Sequence, residues 1–258
     1  MKKFYSIIII TLFSNTLLAN TTMSNKNSIE MLKIINYQRI LSQQITKAYL
    51  YTQNGLVIEE ANREIKDSII GLKNSYKKVT KLTKNKKIKN TMNSIAKQST
   101  EFNKLLKKPL SSQNIDSILK LSESILNQSE EVVSILKKST RHKDFEFISL
   151  LGQQGMLAQR IAKYYIAYKS NKSINTKQNI EKSIALFNKN HKKLMRYKTK
   201  NPSIKRQLNQ IDKLWKISYK IYKDMEKNGD VPLIVFESTD NITSEMNKLI
   251  KIYTSQIK

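Results

Sequence analysis

The thirteen residues QRILSQQITKAYL at positions 38–50 recur as QGMLAQRIAKYYI at positions 154–166. Six positions are identical between the two stretches, and every identity has the same offset of 116 residues. Several of the remaining pairs are conservative, such as isoleucine with methionine and serine with alanine. Because all the identities share one register, the sequence indicates a tandem duplication.

Each copy places a glutamine on the apolar side of a predicted helix. Apolar residues recur at helical spacing through both stretches, and Gln38 and Gln154 fall among them. A buried amide needs hydrogen-bond partners. Two interpretations stay open: each glutamine bonds to a neighbouring helix and fixes the register of a bundle, or each lines a small polar pocket.

Both copies also match a known sensory pattern, which runs roughly A-G-R-Q-R-M-L-S-Q-R-M-A-K. The matching residues are Gln38, Arg39, Leu41, Ser42, Gln43 and Lys47 in the first copy, and Ile148, Gly152, Gln154, Met156, Leu157, Gln159, Arg160, Ala162 and Lys163 in the second. The pattern resembles the amino-terminal sensor domain of type IV pilus methyl-accepting chemotaxis transducers, the PilJ type. That family is related to the NarX-type ectodomains of nitrate and nitrite sensor kinases. The resemblance implies a periplasmic helical bundle that senses or binds a ligand.

The resemblance also implies where a ligand would bind. In the nitrate-sensing relatives, two protomers each supply one ligand-contacting arginine, and the matching position here is Arg39. The second copy has Gly155 at that position but retains a basic residue of the pattern at Arg160. The candidate ligand-binding residues are therefore the two arginines and four glutamines of the repeats: Arg39, Gln38, Gln43, Gln154, Gln159 and Arg160. The expected ligand is a small oxyanion or another small polar molecule.

Periodicity and turn signals predict an all-α fold of two tandem up-and-down four-helix bundles, over residues 23–140 and 143–258. Only five glycines and three prolines occur in the chain, which favours long helices. The expected helices cover about 28–53, 57–82, 87–107, 144–169, 176–197 and 203–227, with a fourth helix beginning after 112 and an eighth near 233. We expect a turn over 84–90 and a helix cap at Ser203.

Residues 1–22 have the pattern of a secretory signal peptide. Lys2 and Lys3 precede a mostly apolar run at 4–18, and Ala19 is a small residue at a suitable cleavage point. The apolar run is short for a bilayer span. The pattern predicts export to the periplasm and cleavage, and an uncleaved amino-terminal anchor is the alternative.

The chain is strongly basic, with 47 Lys and Arg residues against 20 Asp and Glu residues and a formal net charge of +27. Such an excess attracts nucleic acid or anionic surfaces. However, the basic residues are mostly lysine, are spread over nearly every predicted helix, and are not interleaved with aromatic residues on one face, as nucleic-acid binding favours. We therefore expect a compositional bias and no nucleic-acid partner. An electrostatic nucleic-acid or membrane-surface binder is the weakest alternative.

The sequence contains no recognisable catalytic pattern. It has two histidines and no cysteine. His142 lies in a predicted linker and His191 in a lysine-rich helix, so we expect both to be solvent-exposed and without a functional role. Neither has a metal-site spacing, and no phosphate-binding glycine loop or nucleophile motif occurs. We expect a protein that is not an enzyme and that uses no metal or cofactor.

Two functions remain in competition. The first is a secreted periplasmic sensor or ligand-binding module that acts through an envelope or membrane signalling protein, with the two copies packed as an internal pseudo-dimer or with a homodimer formed through the first helix. The second is a structural or protein-interaction bundle of the envelope without a small ligand. The two differ in whether Arg39 and Arg160 face a cavity or pair with carboxylates in the bundle.

Overall fold

The computed structural model describes residues 24–140, 142–223 and 231–257. The predicted signal peptide at 1–22 lies outside these ranges. The described residues form eight α-helices and no strand, so the all-α prediction is confirmed. The helices are α1 (Asn25–Gln53), α2 (Ile58–Leu82), α3 (Lys86–Leu105), α4 (Ser112–Ser139), α5 (Phe145–Asn171), α6 (Ile174–Met195), α7 (Pro202–Lys223) and α8 (Pro232–Thr254).

Two asparagine caps correct the predicted boundaries. The Asn85 side chain accepts a hydrogen bond of 3.1 Å from the amide three residues later, so α3 begins within the predicted turn at 84–90. The Asn201 side chain accepts a hydrogen bond of 2.8 Å from the amide of Ser203, and Pro202 is the first residue of α7. Asn201, not the predicted Ser203, therefore caps this helix. A side-chain acceptor at this position satisfies amides that have no partner within the helix.

The helices of each repeat contact one another in a ring. In the first bundle α1 contacts α2 and α4, and α3 completes the ring between them; α5, α6, α7 and α8 repeat the arrangement. The duplication extends beyond the repeated stretch, since α6 and α7 begin 116 residues after α2 and α3. None of the described helices is long and apolar enough to cross a membrane.

Helices α1 and α5 join the two bundles and form the most extensive helix pair in the described chain. The side chain of Asn54, at the end of α1, donates a 3.0 Å hydrogen bond to Ser170, which occupies the equivalent position of α5. In the amino-terminal half of α1, Asn36 donates a 2.9 Å hydrogen bond to the carbonyl of Ile148, near the start of α5. Because these contacts join residues 116 and 112 positions apart, close to the repeat length, α1 and α5 run parallel and nearly in register. The two repeats are therefore packed as an internal pseudo-dimer with one continuous apolar core.

Candidate functional site at the junction of the two bundles

Each copy of the repeat buries a lysine completely. Lys47 and Lys163 occupy equivalent positions, and neither side chain has exposed surface. Each ammonium reaches the last helix of the opposite bundle: Lys47 Nζ lies 2.5 Å from Asp240 Oδ1 on α8, and Lys163 Nζ lies 2.5 Å from Glu123 Oε1 on α4. Buried charges are costly unless they are paired. The crossed pairs therefore favour one particular alignment of the two bundles.

Glutamines one helical turn before the lysines complete two related clusters. Gln43 Oε1 accepts a 2.5 Å hydrogen bond from Lys163, and Gln159 donates a 2.7 Å hydrogen bond to Asp240. We call the group around Lys47 the first cluster, comprising Lys47, Glu64, Gln159 and Asp240. The group around Lys163 is the second cluster, comprising Lys163, Gln43, Glu123 and Arg160. Each cluster draws residues from both bundles.

The two clusters differ in their third ionisable group. In the first cluster Glu64 Oε2 lies 3.0 Å from Lys47 Nζ, so two carboxylates share one buried cation. In the second cluster Arg160 Nη2 lies 2.8 Å from Glu123 Oε2, so two cations share one carboxylate. The same scaffold thus holds two charge triads of opposite net sign.

Burial shifts the pKa of one group in each cluster. The pKa of Glu64 is raised to about 8, mainly by burial, with the charge of Lys47 opposing the rise and that of Asp240 adding to it. The pKa of Lys163 is lowered to about 8, mainly by burial, with the attraction of Glu123 opposing the fall. Both shifts favour neutral forms, which would bring each triad closer to zero net charge.

The two predicted ligand-binding arginines pair with carboxylates. The Arg39 side chain is 1% exposed, and its Nη2 lies 2.5 Å from Glu130 Oε1. Its Nη1 donates a 2.9 Å hydrogen bond to Asn36. Arg160 pairs with Glu123, and its side chain is 24% exposed. Because both arginines pair with carboxylates in the bundle, the arrangement favours a protein-interaction bundle over a sensor whose arginines bind an oxyanion directly.

The predicted glutamines separate into two pairs. Gln38 donates a 2.8 Å hydrogen bond to Ser129 on α4, and Gln154 donates a 3.2 Å hydrogen bond to the carbonyl of Phe187 on α6. Each bonds within its own bundle, as the register-fixing interpretation requires. Gln43 and Gln159 instead belong to the two clusters between the bundles.

A cleft of about 700 Å³ lies between α4 of one bundle and α6 of the other. Its wall includes the carboxylates of Asp116, Glu123 and Glu131, with Lys120 as the one cation among the described lining residues. Side-chain amides and hydroxyls supply most of the rest, namely Ser124, Asn127, Gln128, Ser173, Asn175, Thr176 and Asn179. Since Glu123 belongs to the second cluster, the cleft adjoins the buried cations.

The duplication explains why this cleft lacks a carboxylate from α6. In the first cluster, α2 supplies Glu64, and the residue 116 positions later on α6 is Ile180. In addition, Gln128 lines the cleft, and its buried Oε1 has no hydrogen-bond partner among the described residues. A polar ligand or water in the cleft could satisfy this atom.

The sequence prediction missed the buried lysines, although a signal was available. Lys47 and Lys163 are identical between the copies and lie one turn after Gln43 and Gln159. Their acidic partners gave no such signal, because Asp240 is offset from Glu123 by 117 residues and not by the repeat length.

Both histidine predictions were wrong about exposure. His191 is 5% exposed, and its Nε2 lies 2.9 Å from Asp212 Oδ1. The His142 side chain is 16% exposed, and its Nδ1 accepts a 3.3 Å hydrogen bond from the amide of Asp144. Packing of α6 against α7 brings His191 against Asp212, whereas Asp144 lies only two residues after His142 in the sequence.

Within the described ranges, no group of three or more His, Asp or Glu side chains is placed to hold a metal ion. Comparisons with protein-family models, curated proteins and solved structures find no match to the chain. Inference about function therefore depends on the geometry of the site and on the repeat itself.

Proposed function

We propose that the protein is a sensory ligand-binding module that binds a small polar molecule in the cleft between α4 and α6 and acts through a partner protein. The observation that carries this proposal is the position of the cleft. Its walls come from both bundles, and it adjoins the second cluster, which also contacts α1. A periplasmic location follows from the predicted signal peptide, and the resemblance of the repeat to PilJ-type sensor domains agrees with a sensory role.

The charges around the cleft favour a polar ligand that carries a positive charge over a simple oxyanion. At the inner end, Lys163 and Arg160 share the single carboxylate of Glu123. Towards solvent, Asp116 and Glu131 are acidic although the chain as a whole is strongly basic. A ligand with an ammonium or guanidinium group, such as the amino acids lysine and arginine, would pair with Asp116 and would compete with the two cations for Glu123.

The second cluster connects the cleft to the central helices α1 and α5. Lys163 on α5 contacts both Glu123 on α4 and Gln43 on α1. A ligand that competes for the charge of Glu123 would change how Lys163 holds Gln43, and with it the alignment of α1 and α5. Ligand binding shifts a conformational equilibrium when the two states bind the ligand differently.

A thermal-shift screen tests the proposal with the twenty amino acids, nitrate and nitrite, using chloride at matched ionic strength as the reference. A ligand that binds only the folded state raises the unfolding midpoint. We expect a saturable increase with at least one amino acid. Asp116→Lys, which reverses a charge in the cleft wall, should abolish the increase.

The matched control is Glu101→Lys, which makes the same charge change at an exposed residue of α3 outside the cleft. It should leave the ligand response intact. If the control loses the response equally, net charge and not the cleft is responsible. A flat response across the whole panel would remove the support for a small polar ligand.

The second candidate function is an envelope interaction bundle without a small ligand. It is favoured by the pairing of Arg39 with Glu130 and of Arg160 with Glu123, which leaves neither guanidinium without a carboxylate. Under this function, cross-linking in intact cells should join the protein to a specific envelope protein. The amino-acid panel should then give no shift.

A further inference from the structure

A second groove, separate from the cleft described above, lies between α6 and α7. It has a volume of about 1110 Å³. Trp215 forms its base, where it stacks on Phe187 at a centroid distance of 3.9 Å and contacts Tyr219 at 5.6 Å. The exposed side chain of Met195 adds further apolar surface at the wall. The base and part of the wall are thus aromatic and aliphatic.

The duplication accounts for the groove. The positions of the first bundle equivalent to Phe187 and Trp215 are Gly71 and Ser99. The stacked rings of Phe187 on α6 and Trp215 on α7 lie between these helices, which contact each other less extensively than α2 and α3 do. The aromatic pair at the groove therefore has no counterpart at the equivalent positions of the first bundle.

The edge of the groove is strongly basic. Its charged lining residues are five cations, Lys192, Arg196, Lys216, Lys220 and Lys223, and one acid, Asp212. The acid is already engaged, because Asp212 contacts both His191 and Lys216. This excess is the reverse of the acidic cleft between α4 and α6, so the two sites select ligands of opposite charge.

A buried polar atom at the groove also lacks a partner. His191 lines the groove and is 5% exposed. Its Nε2 faces Asp212, while its Nδ1 is buried and has no hydrogen-bond partner among the residues that the structure describes. Such an atom is usually satisfied by water or by a ligand.

From these features we propose that the α6–α7 groove binds a free medium-chain carboxylate, with its hydrocarbon chain along Met195 and Tyr219 beside the buried Trp215 and its carboxylate among the basic residues of the edge. Such a ligand needs apolar surface for its hydrocarbon chain and cationic groups for its carboxylate, and the groove supplies both. The lining segment of α7 runs from Asp212 to Lys223, which corresponds to roughly 16 Å of helix at about 1.5 Å per residue. That length suits an extended chain of medium size.

Trp215 provides the measurement, because it is the single tryptophan of the chain. Selectively excited fluorescence is recorded during titration of the full chain with decanoate below its micelle-forming concentration. Decyltrimethylammonium tests the charge, and acetate tests the need for a hydrocarbon chain. We expect a saturable change in Trp215 emission with decanoate alone.

The decisive variants lie on α6. Lys192→Glu combined with Arg196→Glu reverses two exposed charges at the groove, while Lys189→Glu combined with Lys193→Glu reverses two exposed charges of the same helix outside it. The first pair should weaken decanoate binding about tenfold or more, and the second by about twofold or less, because only the first removes complementary charge at the site. Circular dichroism checks that both variants fold.

Several outcomes would overturn the proposal. They are an absent response to decanoate, an equal response to the cationic amphiphile, and an equal loss in the control pair. If the emission of Trp215 changes with anionic phospholipid vesicles or with an acidic peptide but not with decanoate, the groove binds a membrane or a protein instead. The amino-acid screen of the α4–α6 cleft is independent of all these results.

Discussion

The side chain of Asn36 lies directly against the backbone of Gly152, the residue that occupies the equivalent position in the second repeat. A Cβ atom at Gly152 would overlap the Asn36 amide and would lie 2.5 Å from the Asn36 Cβ. Asn36 cannot move away freely, since it donates to the carbonyl of Ile148 and accepts from Arg39, both at 2.9 Å. The close packing of α1 against α5 therefore requires a glycine in one copy and a polar anchor in the other.

Gly152→Ala should destabilise the protein by about 1–3 kcal/mol, the usual cost of overpacking a tightly packed contact. Urea unfolding followed by circular dichroism measures the change. Gly155→Ala is the matched control on the same helix, because its Cβ would lie 2.9 Å from the flexible end of Ile40. The control should cost less, because the end of Ile40 can move whereas Asn36 is held by two hydrogen bonds; the gain of about 1 kcal/mol for alanine over glycine in a helix is common to both variants. Equal costs would contradict the assigned role of Asn36.

Glu123→Leu should cost about 3–5 kcal/mol, because it leaves Lys163 buried without a carboxylate. Lys163→Met should cost less, since Glu123 keeps Arg160 as a partner at 2.8 Å. Glu131→Leu is the control on α4: its pair with Lys87 is well exposed and should contribute only about 0–1 kcal/mol. Chemical denaturation of the three variants at one pH measures the loss in free energy of unfolding and ranks them. An equal loss in Glu131→Leu and Glu123→Leu would refute the assigned role of Glu123.

Stability should fall between about pH 4.5 and pH 8 through Glu64. Burial raises its pKa from 4.5 to about 8, so the folded state holds a proton that the unfolded state has released over this interval. The stabilisation that comes from the raised pKa of Glu64 is therefore complete below pH 4.5 and is lost as the pH rises through about 8. Glu64→Gln should flatten this part of the profile, whereas Glu59→Gln, at an exposed residue of the same helix, should not. Unfolding free energies at several pH values test the difference.

The second cluster should give the opposite slope at higher pH. Burial lowers the pKa of Lys163 from 10.5 to about 8, so between these values the unfolded state binds the extra proton and stability rises with pH. Lys163→Met should remove this rise. Lys169→Met, near the end of the same helix, is the comparison. A rise of the same size in Lys163→Met would show that another group causes it.

The sequence predicted the helices well because their signals are local. Apolar spacing and turn residues located all eight helices, and the predicted starts of α3 and α7, where the caps Asn85 and Asn201 were not recognised, are each wrong by one residue. Gln38 and Gln154 were correctly placed on the buried side of their helices. The partners of Arg39 could not be predicted, because Glu130 is 91 residues away and comes from another helix.

The sequence by itself determined the duplication and the all-α fold, since both depend on the order of residues along the chain and on helical periodicity. Only the tertiary structure decided how the copies pack. The parallel alignment of α1 with α5, the crossed pairs of Lys47 with Asp240 and Lys163 with Glu123, and the aromatic groove at Trp215 arise between residues distant in sequence. These contacts depend on side-chain volume and charge in three dimensions, which the spacing of residues along one chain does not specify.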